Sequence, residues 1–208
     1  PFVFQKRQID PENEAPELPA FPIVGPTWGH VGLIDTVGND VRYVPFFAKT
    51  STHTYLPMSL KLALIYLGLP ASALTIEEDK LIVKKDDGST VASIPLRMGQ
   101  LAEPNWFGAW MEKDHHASLV HVMAFAQALQ NGTEEEKQMA RDFFAPFKDS
   151  VVLIGPVDPL LKDISLMPLN GSHAVPRVSV HGNLLKTILS GRFMERPPVW
   201  MNCALIFL

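Results

Sequence analysis

The sequence predicts an α/β (mixed α+β) fold: a mixed central sheet with helices on its faces, in a single domain. Three observations predict it. Hairpin patterns alternate along the chain with helical periodicity, as in "GHVGLIDTVGNDVRYVPFF" followed by "YLPMSLKLALIYLGLP". The run "SVVLIG" is continuously apolar and of strand length, which fits a strand covered on both faces. The chain has 208 residues, 47% of them apolar, enough for the core of one domain and too apolar for general disorder.

Taken in order, "FVF" near Pro1 reads as a strand entered part-way, so the chain is expected to begin inside a longer protein. "RQIDPENEAPELPAFPIVGP" is rich in proline and acid and reads as an extended loop. "GHVGLIDTVGNDVRYVPFF" reads as two strands joined by a turn at "GND". A helix is predicted from about Pro57, with Leu60, Leu64 and Leu67 as its buried stripe and Gly68 and Pro70 as its end. "KLIVKKDDGSTVASIPL" reads as a hairpin turning at Asp87-Gly88, with Leu81 and Val83 on one arm and Val91 on the other.

"MEKDHHASLVHVMAFAQALQNG" predicts a helix ending at Asn131-Gly132. "TEEEKQMARDFFAPF" opens with a capping box, Thr133 with Glu136, and the acids of its first turn suit the positive helix end. "VPRVSV" reads as a strand that passes into the helix "GNLLKTILSG". That helix is expected to turn Leu184, Leu185, Ile188 and Leu189 inward and to end at Gly191.

Composition excludes some functions. The net charge is −4 and the basic residues are scattered, whereas nucleic-acid binding needs a basic face. The single cysteine, Cys203, permits no internal disulfide. No G-x-S-x-G, phosphate loop or G-x-G-x-x-G is present, which argues against the common hydrolase, nucleotidase and dehydrogenase classes. His115, His116 and His121 lack the three- or four-residue spacing of a helical metal pair, since positions five apart diverge by about 140°. No cofactor and no metal are expected.

The polar candidates lie in the last third. Asp158 and Asp163 follow "VVLIG", and His181 and Asn183 follow "VPRVSV". In open α/β sheets ligands settle beyond the carboxyl ends of strands, so Asp163, His181 and Asn183 are candidates for one binding edge. The same residue types also satisfy backbone groups at strand–helix junctions, Asn183 as a helix cap and Asp163 within its own loop. Both readings stand at this point.

The run "VWMNCALIFL", Val199 to Leu208, carries no charge. Ten residues are too few to span a bilayer, which takes roughly 20. They suit either the first half of a span with Trp200 at the interface or a core strand.

"FKDSVVLIGPVDPLLKDISLMP" and "VPRVSVHGNLLKTILSGRFMERPP" together resemble the type-two CHASE domain, a bacterial sensing module associated with cyclases and histidine kinases. Val151 to Gly155, Asp163, Pro168, Pro176, His181, Asn183 and Gly191-Arg192-Phe193 carry the likeness. Gly29, His30, Asp35, Arg42 and Pro45 look like the family's hairpin, and "MSLKLALIYLG" like the helix after it. The sequence departs at Arg177, where glycine is usual, at Gly182, where alanine is, and at Asn39-Asp40, where Asp-Gly is common. Ser165 to Met167 lacks the family's threonine, and residues 103–130 follow no familiar pattern.

The resemblance implies an extracytoplasmic sensor over 1–197, lacking its N-terminal part, and the start of a transmembrane helix over 198–208. It implies localisation at the cell membrane on the periplasmic side and coupling to a cyclase or kinase. The expected partners are a small-molecule or environmental stimulus, the membrane through the C-terminal helix, and a second copy in a homodimeric receptor. The domain itself is expected to be no enzyme. Asp163, His181 and Asn183, joined by His30 and Arg42, form the candidate polar cluster, whether ligand-binding or structural. Two rivals remain: a stand-alone extracytoplasmic hydrolase or metal-binding enzyme using the Asp/His edge, and a structural module that spaces or dimerises a receptor.

Overall fold

The structure is a computed structural model. It describes residues 3–6, 27–30, 34–35, 40–49, 54–107, 116–194 and 201. The proline-rich stretch 7–26, the turn at 36–39, His115 and residues 202–208 lie outside the described residues.

In chain order the first strands are β1 (Val3–Lys6), β2 (Thr27–His30), β3 (Ile34–Asp35), β4 (Val41–Pro45), β5 (Ala48–Lys49) and β6 (Thr54–Tyr55). Helix α1 (Met58–Leu67) follows, then β7 (Leu74–Ile76), β8 (Lys80–Lys84), β9 (Thr90–Pro95) and β10 (Leu101–Ala102). Helices α2 (Leu119–Asn131) and α3 (Glu134–Phe144) come next. The last elements are β11 (Ile164–Ser165), β12 (Val175–Pro176) and α4 (Val178–Ser190). The mixed α/β class is borne out. Among the described residues the strands form five small sheets of two or three strands, and β1–β2 is parallel while the other pairs are antiparallel.

The chain divides into two compact units, one of Pro1–Ala109 with Gly155–Leu208 and one of Trp110–Ile154. In the first, α1 begins after Pro57, whose extended backbone suits the position before a helix, and stops at Gly68 in the left-handed region. Leu60, Ala63 and Leu64 are buried. Leu67 belongs to the expected stripe by spacing but is 36% exposed, because it is the final residue before the turn at Gly68.

The predicted hairpin is β8–β9, and β7 adds a third strand that no turn signal announced. Gly88 takes φ +79°, and Asp87 accepts the Ser89 amide. Leu81 and Val83 are buried opposite Ile94 and Ala92. Val91 stands on the second arm as expected, half-buried at a bulge: Val83 pairs with Ala92 and Lys84 with Thr90, so the ladder passes over it, and Ala92 and Ile94 are the buried residues opposite Val83 and Leu81.

Two further expectations are corrected. Residues 150–155 form no strand, and Val152 and Ile154 are 50% and 78% exposed. An apolar composition supplies the side chains of a buried strand but not the neighbour that must take its backbone hydrogen bonds. The strand expected over "VPRVSV" is only Val175–Pro176, and the helix has begun by Val178. Pro176 removes a ladder donor and Arg177 already has helical dihedrals, so the alternating valines belong to a helical turn. His181 and Asn183 therefore lie within α4 rather than at its entrance.

Two adjacent rows of α4 are buried, Val180–Leu184–Thr187 and His181–Leu185–Ile188. Leu189 falls beside them and is 38% exposed, and Thr187 takes the inward place expected of it. The Ser59 hydroxyl of α1 donates to the His181 carbonyl of α4 at 3.1 Å. Glycine is required at 155: a Cβ there would stand 2.6 Å from the Val178 Cβ, inside contact distance.

In the second unit, α2 begins at Leu119, with His116 before it, and ends at Gly132. The Thr133–Glu136 capping box is present in both directions, and three glutamates fill the first turn of α3. Phe125 of α2 stacks on Phe143 of α3 at 4.4 Å, and Phe144 and Phe147 pack around Phe143. Aromatic pairs of this kind each add about 0.5–1.5 kcal/mol beyond area burial, which helps to hold a two-helix unit that has no large buried aliphatic among its described residues.

Candidate functional site

Asn183 and Thr187 lie one turn apart on α4 and hold a strap of chain at 103–107. The Phe107 amide donates to the Asn183 Oδ1 at 3.1 Å, and the Asn105 amide donates to the Thr187 Oγ1 at 2.9 Å. The Asn183 Nδ2 donates to the Ser179 carbonyl at 3.0 Å, which fixes the orientation of its amide. The Thr187 hydroxyl lies 2.7 Å from the Asn183 carbonyl and 3.2 Å from the Asn105 carbonyl. The Lys186 ammonium stands 4.9 Å over the Phe107 ring. The Arg97–Glu103 ion pair, at 3.4 Å, anchors the start of the strap.

A second set ties the entrance of α4 to the sheet edge. The Arg177 amide donates to the Asp163 carbonyl at 2.9 Å, and its Nε donates to the Ser165 hydroxyl at 2.6 Å. The Ser179 hydroxyl reaches the Pro176 carbonyl at 2.6 Å. The Val41 amide donates to the Leu166 carbonyl at 3.0 Å, linking β4 to the residue after β11. Arg42, on β4, pairs with Asp40 at 2.8 Å in a largely exposed ion pair, a type worth about 0–1 kcal/mol. His30 ends β2 in register with Lys6. Asp158 accepts the Leu160 amide at 2.9 Å and caps the short helical turn Pro159–Leu161, the role expected as an alternative for Asp163.

Asp163, His181 and Asn183 thus serve three separate contacts. The Asp163 carbonyl holds Arg177, the His181 carbonyl receives Ser59, and the Asn183 side chain holds the strap. His181 is 4% exposed. Thr187, Ser59 and the strap were not singled out in the sequence, and Arg177 was noted only as a departure from the family pattern. Their signal was present only as polar residues, Asn183 and Thr187, spaced by four within an otherwise apolar helix face. Among the described residues no group of three or more His, Cys, Asp or Glu is placed to hold a metal ion.

Comparison with models of known families is specific: residues 4–208 match the CHASE2 domain, and the chain belongs to that family. The match runs through 103–130, where the sequence followed no familiar pattern. The family is an extracellular sensory domain of signalling receptors, sensory rather than catalytic. Comparisons with curated proteins and with solved structures each found no match.

No helix among the described residues is long and apolar enough to cross a membrane. The run expected to begin a span, 198–208, lies outside the described residues apart from Met201.

Proposed function

We propose that the chain is the extracytoplasmic input domain of a bacterial transmembrane signalling receptor. It passes an external stimulus, a small molecule or a change of environment, to a cytoplasmic cyclase or kinase. The sensing fold is 1–197, and the uncharged run from Val199 begins the membrane helix. The observation that carries this reading is α4. It is tied to α1, to the sheet edge and to the strap, it ends at Gly191 in the left-handed region, and in sequence only 192–198 separate it from the uncharged run. A stimulus acts by binding one of two arrangements more tightly, and the position of α4 distinguishes them. Asp163, His181 and Asn183 act by positioning this helix, and the full receptor works as a homodimer.

Membrane sidedness tests the location. With Cys203→Ser removing the native thiol, a cysteine placed at the exposed Glu135 of α3 is treated with a membrane-impermeant thiol reagent in cells whose cytoplasmic membrane is intact. Labelling without lysis is expected. Labelling only after lysis contradicts an extracytoplasmic domain.

A further inference from the structure

The contacts between α4 and the strap have the geometry of a ladder. Residues four apart on a helix are separated by about 6 Å along its axis. Alternate residues of an extended chain are separated by about 6.6 Å. Asn183 and Thr187 therefore present acceptors at the spacing at which the Asn105 and Phe107 amides arrive, and the pairing runs antiparallel, 183 with 107 and 187 with 105. Side chains on one helix face here do the work of a strand edge.

Thr187 adds two-state character. It is fully buried, and its hydroxyl has one proton and two carbonyls within reach. Donated to Asn183 at 2.7 Å, the proton serves the helix. Donated to Asn105 at 3.2 Å, it serves the strap. The strap is also the chain that leads into the second unit at Trp110.

Resting on the sensor reading, we propose that Asn183 and Thr187 form a releasable clamp on residues 105–107, and that its engagement sets the position of α4 according to the state of the chain that continues into the helical hairpin. The clamp is a positioning device and binds no ligand. It gives the receptor a defined internal contact whose strength fixes the balance between output states.

The test uses the full-length receptor in membranes without added stimulus. It reads two quantities, hydrogen exchange of peptides covering 101–107 and basal output as cyclic nucleotide formed or phosphate transferred. Thr187→Val removes the hydroxyl at nearly constant volume, and Thr187→Ser retains it. Lys186→Ala, at an exposed position, loosens Phe107 from outside and serves where the valine variant fails to fold. In the valine variant, exchange of the strap is expected to rise about tenfold, the change one hydrogen bond is worth. Basal output is expected to shift severalfold, with both restored by serine and moved in the same direction by Lys186→Ala.

Unchanged strap exchange overturns the clamp. So does faster exchange with unchanged output, provided that a two-alanine insertion after Gly191 does shift output, and the sensor reading then survives. Unchanged output in both the clamp variants and the insertion defeats the sensor reading and the clamp with it.

Discussion

The Ser59 hydroxyl and the His181 carbonyl, 122 positions apart in sequence, meet at 3.1 Å in the buried contact between α1 and α4. Ser59 is fully buried, so the bond replaces contact with water that neither group has. Ser59→Ala is expected to cost about 1 kcal/mol, the net worth of one such bond. Leu184→Ala, also on α4 and fully buried, is expected to cost about 2–5 kcal/mol. Chemical denaturation of the isolated domain reads both, and a Ser59→Ala loss as large as that of Leu184→Ala would show that the bond does more than join the helices.

His181→Ala leaves the carbonyl that receives Ser59 in place and removes a nearly fully buried side chain of α4. A loss of about 2 kcal/mol is expected, in the range of substitutions that open a core. Melting temperature and receptor output are read together. An output change in a variant of unaltered stability assigns His181 a signalling role of its own, and no change in either removes it from the important residues.

Gly155 is packed against Val178. Gly155→Ala is expected to cost about 1–3 kcal/mol, because the added methyl enters space the valine occupies. Val178→Gly removes the Cβ and both γ-carbons that the methyl would meet, so the double variant is expected to be more stable than the two single losses added together predict. Strict additivity in a double-mutant cycle contradicts the close approach.

The Asp87 carboxyl is held below the ordinary aspartate range, first by its hydrogen bond with the Ser89 side chain and then by the Ser89 amide. The folded pKa is the lower one, so the carboxylate stabilises the hairpin above the unfolded value. That contribution is lost as pH falls through the folded value. A carboxyl titration by NMR is expected to place Asp87 below the ordinary aspartate range, and Ser89→Ala to return it towards that range. An Asp87 midpoint unmoved by Ser89→Ala contradicts the turn geometry.

Thr133 caps α3 and takes part in a reciprocal pair with Glu136. Thr133→Ala is expected to cost about 1 kcal/mol, with the loss confined to the α2–α3 hairpin. Hydrogen exchange across 116–150 measures it, and equal loosening of β8–β9 would contradict an independent unit.

The legible parts of this fold are those decided within a few residues. Thr133 with Glu136, Asp87-Gly88, and Pro57 with Gly68 each impose a local hydrogen bond or dihedral, and each stands where the sequence placed it. The entrance of α4 was misplaced because "VPRVSV" fits periods of both 2 and 3.6, and Pro176 with the bond from Arg177 to Asp163 decides between them. "SVVLIG" reads as a buried strand by composition, yet a strand is defined by a neighbour that composition does not name. Asn183 was legible as an important residue, but its partner was not, since the strap lies 76 positions away in a stretch with no turn or capping signal. Recognition of the family came from the ordered motifs of the last third and the hairpin near Arg42, and the family match confirmed it over 4–208.

In the proposed mechanism α4 carries the state of the sensing domain towards the membrane. The most direct measurement is basal output of the full-length receptor carrying one, two or four alanines inserted after Gly191, with folding of the domain checked by its melting temperature. Output is expected to change severalfold and to depend on the number inserted, while the melting temperature holds. Equal output in all three variants, from a domain that remains folded, contradicts the claim.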